Sequence, residues 1–318
     1  MDSVDKAEKT TSAPESSQRG GSQSLSDNPD SNKFGTTDDT IDSSRTVAEM
    51  PVDSSSNYYN MSHEKRGLAI VISYSEFDDP NSLAPRKCAS HDADLCKASL
   101  ERLGYEVKPH LENPKKDELL NILKAASRYD HSDCDSLIVV FMGHGKHDEK
   151  TNKEYVFARD REVLTSQLWE NFTAENCPTL AGKPKMFFIQ ACRGDKTDGG
   201  VLVKKRKAAI VTDHVTITPK TEEYSIPVYA DMLVMWATYP GMSAFKSPRF
   251  GEETSVFIHF LTKVLDEEGS REDLASMLLR VTREVGIEYE SRSTKEDLHK
   301  KKQIPYTMST LMRKVKFV

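Results

Sequence analysis

Lys183–Gly194 reads KPKMFFIQACRG. Its first half is apolar and flanked by Gly182 and Pro184, the pattern of a short buried strand that ends in a polar turn. That turn carries Cys192. A cysteine attacks near neutral pH only as its thiolate, so it needs a proton acceptor close by. Residues 136–145, SLIVVFMGHG, repeat the arrangement, an apolar and partly β-branched run followed by glycines on either side of His144. Each candidate therefore stands just past the carboxyl end of a buried strand. In an open parallel sheet that edge is where ligand sites form, and neighbouring strands bring such residues into contact. Taken singly, a cysteine after an apolar run reads as core, because free cysteine is among the most buried residue types. Taken as a pair, with Gly145 and Gly194 leaving main-chain amides open to a close carbonyl, they read as a nucleophile, its base and an oxyanion site formed by the amides of Gly145 and Cys192.

The sequence around this pair has the composition of a globular protein of one or two units, 318 residues long with a formal charge of −6. No apolar run approaches the roughly 18 residues that cross a bilayer, and the polar stretch Met1 to Gly20 is not a secretory segment. Five cysteines, an odd number, point to reduced thiols in the cytosol, and no CxxC pair or clustered Cys and His suggests zinc. Residues 1–57 are rich in Ser, Thr, Asp, Asn and Gly and are expected to be a disordered leading segment, since so few apolar side chains do not offset the entropy of folding. The first 60 residues carry eleven acidic and five basic side chains, a net of −6, so the remainder is neutral overall and gives no case for nucleic-acid or membrane binding.

The globular part opens near Tyr58 with a buried strand, Gly67 to Tyr74. The loop that follows holds Pro80, Pro85 and Arg86 and leaves the same carboxyl edge as His144 and Cys192. His91 to Tyr105 reads as a helix with Ala93, Cys96, Leu100 and Leu103 on one face, and Glu106 to Pro109 as a short strand. Asn113 reads as a helix cap with Pro114 at the first helical position, and Leu119, Ile122, Leu123 and Ala126 continue as a core stripe. Tyr155 to Ala158 and Leu164 to Phe172 lead towards Cys192. Alternating strands and helices predict an α/β layered fold with a mostly parallel sheet. Asp195 to Glu223 has no sustained period and reads as an exposed linker containing the basic run Lys204–Lys207, which has solvated and anion-binding readings. Beyond it come a buried strand, Met232 to Thr238, and two amphipathic helices, Thr254 to Leu265 and Leu274 to Val285.

Gln190-Ala191-Cys192-Arg193-Gly194, with a histidine about 50 residues upstream, resembles the signature of the caspase family. The resemblance runs from about Tyr58 to Val318 and is nearest to effector caspases of the insect type. It implies a three-layer α/β sandwich with helices on both faces, a cysteine endopeptidase without a cofactor, and cleavage after aspartate in apoptotic proteolysis. It also implies a zymogen of four parts: the leading segment 1–57, a large-chain region 58–198, a processed linker 199–223 and a small-chain region 224–318. A leading segment this short and polar does not resemble the helical adaptor domains of initiator caspases. Arg86 matches the arginine of the primary specificity pocket, whose planar fork holds a carboxylate through two parallel hydrogen bonds. Gln190 is expected to add an amide donor there.

The expected linker cut is after Asp213, with Asp198 as the alternative. Asp42 is the expected cut in the leading segment, with Asp30 and Asp53 as further candidates. Implied partners are protein substrates with aspartate before the scissile bond, a second copy paired through the C-terminal strand, apoptosis-inhibitor proteins and an upstream initiator caspase, all in the cytoplasm. Departures from the family pattern concentrate in two places. Cys88 stands where glycine is common. Across Pro240 to Gly251, which reads as a loop, Met242 replaces an aromatic residue, Phe245 the first tryptophan and Lys246 an arginine, with Arg249 as the stand-in if the loop is rearranged; Val256 then replaces the second tryptophan after an apparent insertion, Glu252-Glu253. Lysine keeps the charge without the fork. Two rival readings follow: a scaffold with weakened catalysis, motivated by Lys246 and the absent tryptophans, and a related peptidase cutting after Lys or Arg, which calls for acidic residues where Arg86 stands.

Overall fold

The structure, a computed structural model, describes residues 3–4, 48, 50–79, 83–201, 226–250 and 252–317. A two-residue strand, β1 (Ser3–Val4), precedes the main body. The strands β2 (Leu68–Ser73), β3 (Glu106–Glu112), β4 (Leu137–Met142), β8 (Lys185–Gln190), β9 (Met232–Trp236) and β12 (Tyr306–Ser309) form one sheet in the order β12-β9-β8-β4-β2-β3. Every pairing in it is parallel except that of β12 with β9. Two smaller antiparallel sheets flank its carboxyl edge. One joins β5 (Gly145–Asp148), β6 (Lys153–Phe157) and β7 (Glu162–Leu164); the other joins β1, β10 (Phe245–Phe250) and β11 (Glu252–Ser255).

The side-chain period of two along each strand divides the core. Ala69, Val71, Ile138, Val140, Met186, Phe188, Leu233 and Met235 face the helices α1 (Ala89–Arg102), α3 (Val256–Glu268) and α4 (Leu274–Glu288). Ile70, Ile72, Val139, Phe141, Phe187, Ile189 and Trp236 face α2 (Lys116–Ser127) and the short turns that carry Leu168, Phe172 and Leu180. With both faces covered, β4 and β8 are buried at every position, which is why β4 and the middle of β8 read as apolar runs.

Three local expectations change. Asn113 does not cap α2, which begins at Lys116; it takes a left-handed φ of 50°. Its Oδ1 instead accepts the amides of Ser75 (2.8 Å) and Glu76 (3.1 Å), fastening the start of the loop that carries Arg86. Pro240 to Gly251 is not all loop, because Phe245–Phe250 and Glu252–Ser255 form a hairpin in which Lys246 pairs with Ser255. The register of this hairpin shifts between Ser247 and Phe250. The C-terminal strand is short, Tyr306–Ser309, and the residues after it return to bond Asn57 and Leu274. Asp213, Asp42, Asp30 and the Lys204–Lys207 run lie outside the described residues.

Candidate active site

Strands β4 and β8 run in register, with Met142 opposite Gln190. The amide of Gly143 extends the ladder by one bond, donating to the Gln190 carbonyl at 3.0 Å. His144 and Cys192 therefore leave adjacent strands at the same level of the sheet. A Cβ on Gly145 would collide with the Cys192 carbonyl oxygen and crowd the Ala191 side chain. Only glycine permits the two turns to approach this closely.

The imidazole of His144 is buried, packs against Phe77 with ring centroids 4.8 Å apart, and lies 2.7 Å through Nε2 from the Ala84 carbonyl. A carbonyl only accepts, so in the neutral ring Nε2 carries the hydrogen and Nδ1 is the basic nitrogen. The Cys192 sulfur is also buried and receives the amide of Ala244 at 3.2 Å. Its turn is tied to the loop before β10: Arg193 donates its amide to the Met242 carbonyl (3.0 Å), and Gly241 donates to the Arg193 carbonyl (2.9 Å). The Arg193 side chain is taken up structurally. It holds Glu154 through Nε and a terminal nitrogen at 2.7 and 2.8 Å, and its guanidinium lies 4.4 Å over the Trp236 ring.

Arg86 is fully buried, so the ordinary solvated reading of a loop arginine does not apply. Its guanidinium contacts the Tyr74 carbonyl and the Ser255 hydroxyl, each at 3.3 Å, and lies 3.7 Å from the Asp92 carboxylate. Asp92 in turn accepts the Ser255 amide (3.0 Å) and hydroxyl (2.6 Å). Cys88 lies 3.8 Å from both the Arg86 guanidinium and the Ser255 hydroxyl, filling space beside the arginine. At the end of β8, the Gln190 carboxamide is buried with neither its oxygen nor its nitrogen hydrogen-bonded among the described residues. A buried amide in that condition is costly unless an outside group completes it.

The remaining candidates sit on or beside β10. Lys246 is buried in the hairpin and Met242 is half-exposed at its approach. Phe245 is turned into the core against Tyr289, with its amide on the Gln303 side chain at 2.7 Å. Arg249 is exposed and bonds the Glu290 carbonyl. Asp198 is half-buried; its carbonyl accepts the Lys302 amide at 2.9 Å and its carboxylate accepts the Gly200 amide at 2.8 Å. Sequence reasoning did not identify Ala84, Asp92 or Ser255. An acidic residue in the first turn of α1 was the available signal for Asp92, whereas a carbonyl and a distant serine left none. All five cysteines are free, and no cluster of metal-binding side chains occurs among the described residues.

A parallel sheet that presents a cysteine and a histidine from neighbouring strand ends, beside a buried arginine, defines a cysteine peptidase of the α/β type. The chain belongs to the caspase family: the caspase-domain model matches residues 66–316. It is 36% identical to Caspase-1 of Drosophila melanogaster over 278 residues, 87% of this chain and 81% of that protein. It is also 36% identical to Caspase-1 of Spodoptera frugiperda, covering 85% of each. The crystal structure of the Spodoptera protein superposes with a TM-score of 0.75 at 34% identity, covering 85% of this chain and 99% of that one. The chain is thus a cysteine-type endopeptidase of the apoptotic effector kind, acting on proteins cut after aspartate. Among the described residues no helix is long and apolar enough to cross a membrane.

Proposed function

We propose that Cys192 is the nucleophile, His144 its proton carrier, and Arg86 with Gln190 the pair that selects aspartate before the scissile bond. The observation that carries this reading is the meeting of the two turns at one level of the sheet, with Gly145 against the Cys192 carbonyl. The Cys192 thiolate attacks the substrate carbonyl, the amides of Gly145 and Cys192 receive the oxyanion, and His144 delivers a proton to the leaving amine. Water then hydrolyses the thioester. The aspartate carboxylate takes the Arg86 fork and completes the unpartnered Gln190 amide. Met242, Phe245 and Lys246 shape the subsites further out.

Activation proceeds by cleavage in the linker, after Asp213 in preference to Asp198. The main chain of Asp198 is paired with Lys302, and a protease needs an extended segment free of such pairing. The large-chain, linker and small-chain regions are 58–198, 199–223 and 224–318, behind the leading segment 1–57 with its candidate cut at Asp42. The largely exposed edge strand β12 joins a second copy, and the enzyme works in the cytoplasm under an upstream initiator caspase and apoptosis-inhibitor proteins. The test is hydrolysis of peptides that differ only before the bond (Asp, Asn, Glu, Arg) by linker-cut wild type and Cys192→Ala. Turnover of the Asp peptide alone, abolished in the variant, is expected. No turnover after the linker is cut would sink the assignment.

A further inference from the structure

Strand β10 is the middle strand of its sheet. On one edge it carries β11, and on the other it carries Ser3–Val4, from the far N-terminal end of the chain. The pairing is antiparallel, with Ser3 opposite Lys246 and Val4 opposite Phe245. Ala244, the residue just before β10, gives its amide to the Cys192 sulfur. In an antiparallel pair one strand advances by a residue as the other retreats by one. A peptide strand that holds this register along β10 brings the residue after the one opposite Phe245 to Ala244, beside the candidate nucleophile. The sequence here is Asp2-Ser3-Val4-Asp5-Lys6, so the residue that follows Val4 in the chain is an aspartate. Extended peptides commonly bind by adding a strand to a sheet edge in this way, with main-chain bonds giving affinity and side-chain pockets giving selectivity.

We propose that Asp2–Asp5 docks in cis on β10 as a substrate strand, with Asp5 in the primary specificity pocket, and that the Asp5–Lys6 bond is an intramolecular cleavage site. This inference rests on the roles assigned above to Cys192, His144 and Arg86, and adds an occupant and a scissile bond that those roles do not supply. Until the bond is cut, the tethered segment competes with outside substrate. The step balances as ordinary hydrolysis. The Cys192 sulfur bonds to the Asp5 carbonyl carbon as the carbon–nitrogen bond to Lys6 breaks, and the Lys6 nitrogen leaves with a proton from His144. Water then cleaves the thioester, restoring the thiol and leaving the Asp5 carboxylate. Cleavage also removes the tether, which converts a ligand at high effective concentration into a dilute free peptide.

Two measurements on the full chain test this. In the Cys192→Ala protein, amide exchange across residues 244–247 is compared with that of the same protein carrying Ser3→Pro and Val4→Pro, which removes the amide hydrogens of both strand residues, including the one that faces β10. The substituted residues lie well ahead of Tyr59, where the packed core begins, so folding is not at stake. Expected is an exchange rate slower by about tenfold when the strand is intact, the scale a tethered ligand gives. Equal exchange in the two proteins overturns the docking, whether or not the enzyme turns over any peptide. In the catalytically intact chain, mass spectrometry is expected to show loss of residues 1–5 with a rate constant unchanged on dilution, and no loss in Asp5→Ala. A rate proportional to protein concentration, or an uncut Asp5–Lys6 bond in a chain that hydrolyses the Asp peptide, overturns the intramolecular site. Strand protection in a chain that hydrolyses no peptide supports the docking and sinks the catalytic assignment instead.

Discussion

Gly145 and Arg86 make different demands on the chain around them. At Gly145 the obstacle to any side chain is the carbonyl of Cys192, a main-chain atom fixed by the turn it belongs to. Gly145→Ala is therefore expected to push the two turns apart and lower kcat for an Asp peptide by about a hundredfold, the cost of a displacement near 1 Å at a reacting centre. Circular dichroism unchanged from wild type would confirm that the loss is local; an unimpaired kcat would show that the close approach is dispensable. Arg86 demands a geometry more than a charge. Arg86→Lys keeps a cation beside Asp92 but loses the fork, so one of two charge-assisted hydrogen bonds to the substrate carboxylate disappears, about 2 kcal/mol or roughly thirtyfold in kcat/KM. Alkylation of Cys192 by iodoacetamide, which needs no aspartate, should proceed at the wild-type rate. If alkylation falls in step with kcat/KM, Arg86 supports the cysteine turn and does not read the substrate. Arg86→Ala is the poorer experiment, because it strands the Asp92 carboxylate in a fully buried position.

Among the elements, those buried on both faces are the ones whose sequences speak clearly. The runs of β2, β4 and β8 and the stripe Leu274, Met277, Leu278, Val281 and Val285 of α4 follow directly from the environment that encloses them. The β10–β11 hairpin was not legible. Its residues answer to pairing partners and to Cys192 more than to a repeating face, so a polar stretch with Pro248 read as loop. The bonds made by Asn113 and the contact of Arg86 with Ser255 were hidden for a related reason, since Ser75, Glu76 and Ser255 are distant in sequence from the residues they meet. Lysine at the first position of β8 is a further case of an element at odds with its composition. Lys185 is fully buried, with its ammonium on the Leu180 and Lys183 carbonyls, and burial pushes its pKa down to about 8 against the partial opposition of Asp231. The unfolded chain keeps this proton up to its ordinary value of 10.5, whereas the folded chain releases it near 8. Lys185 therefore penalises folding fully below pH 8, and the penalty disappears as the pH rises towards 10.5. The unfolding free energy of wild type minus that of Lys185→Met, measured by urea titration, should rise across this window. A flat difference would show that the lysine stays charged in the folded protein.

At the scale of the whole molecule, the strands on either side of the proposed linker are joined by the sheet itself. Strand β8, in the proposed large-chain region, and β9, in the proposed small-chain region, are parallel neighbours over five register pairs, Lys185 with Met232 through Ile189 with Trp236. Strand β9 is then enclosed by β12 on its far side, and α3 and α4 pack on the same apolar cluster as α1. The turn carrying Cys192 is itself bonded to the residues before β10, so the proposed site draws on both regions. Cutting between them removes one covalent connection while leaving this buried surface and these bonds in place. A chain cut only after Asp213 is accordingly expected to elute from a sizing column as one species containing both fragments, and to separate only in denaturant. The fragments should also lose Asp-peptide hydrolysis when separated and recover it when refolded together. If they part without denaturant, the parallel β8–β9 pairing does not hold the molecule together, and the linker is a structural tie in place of a switch.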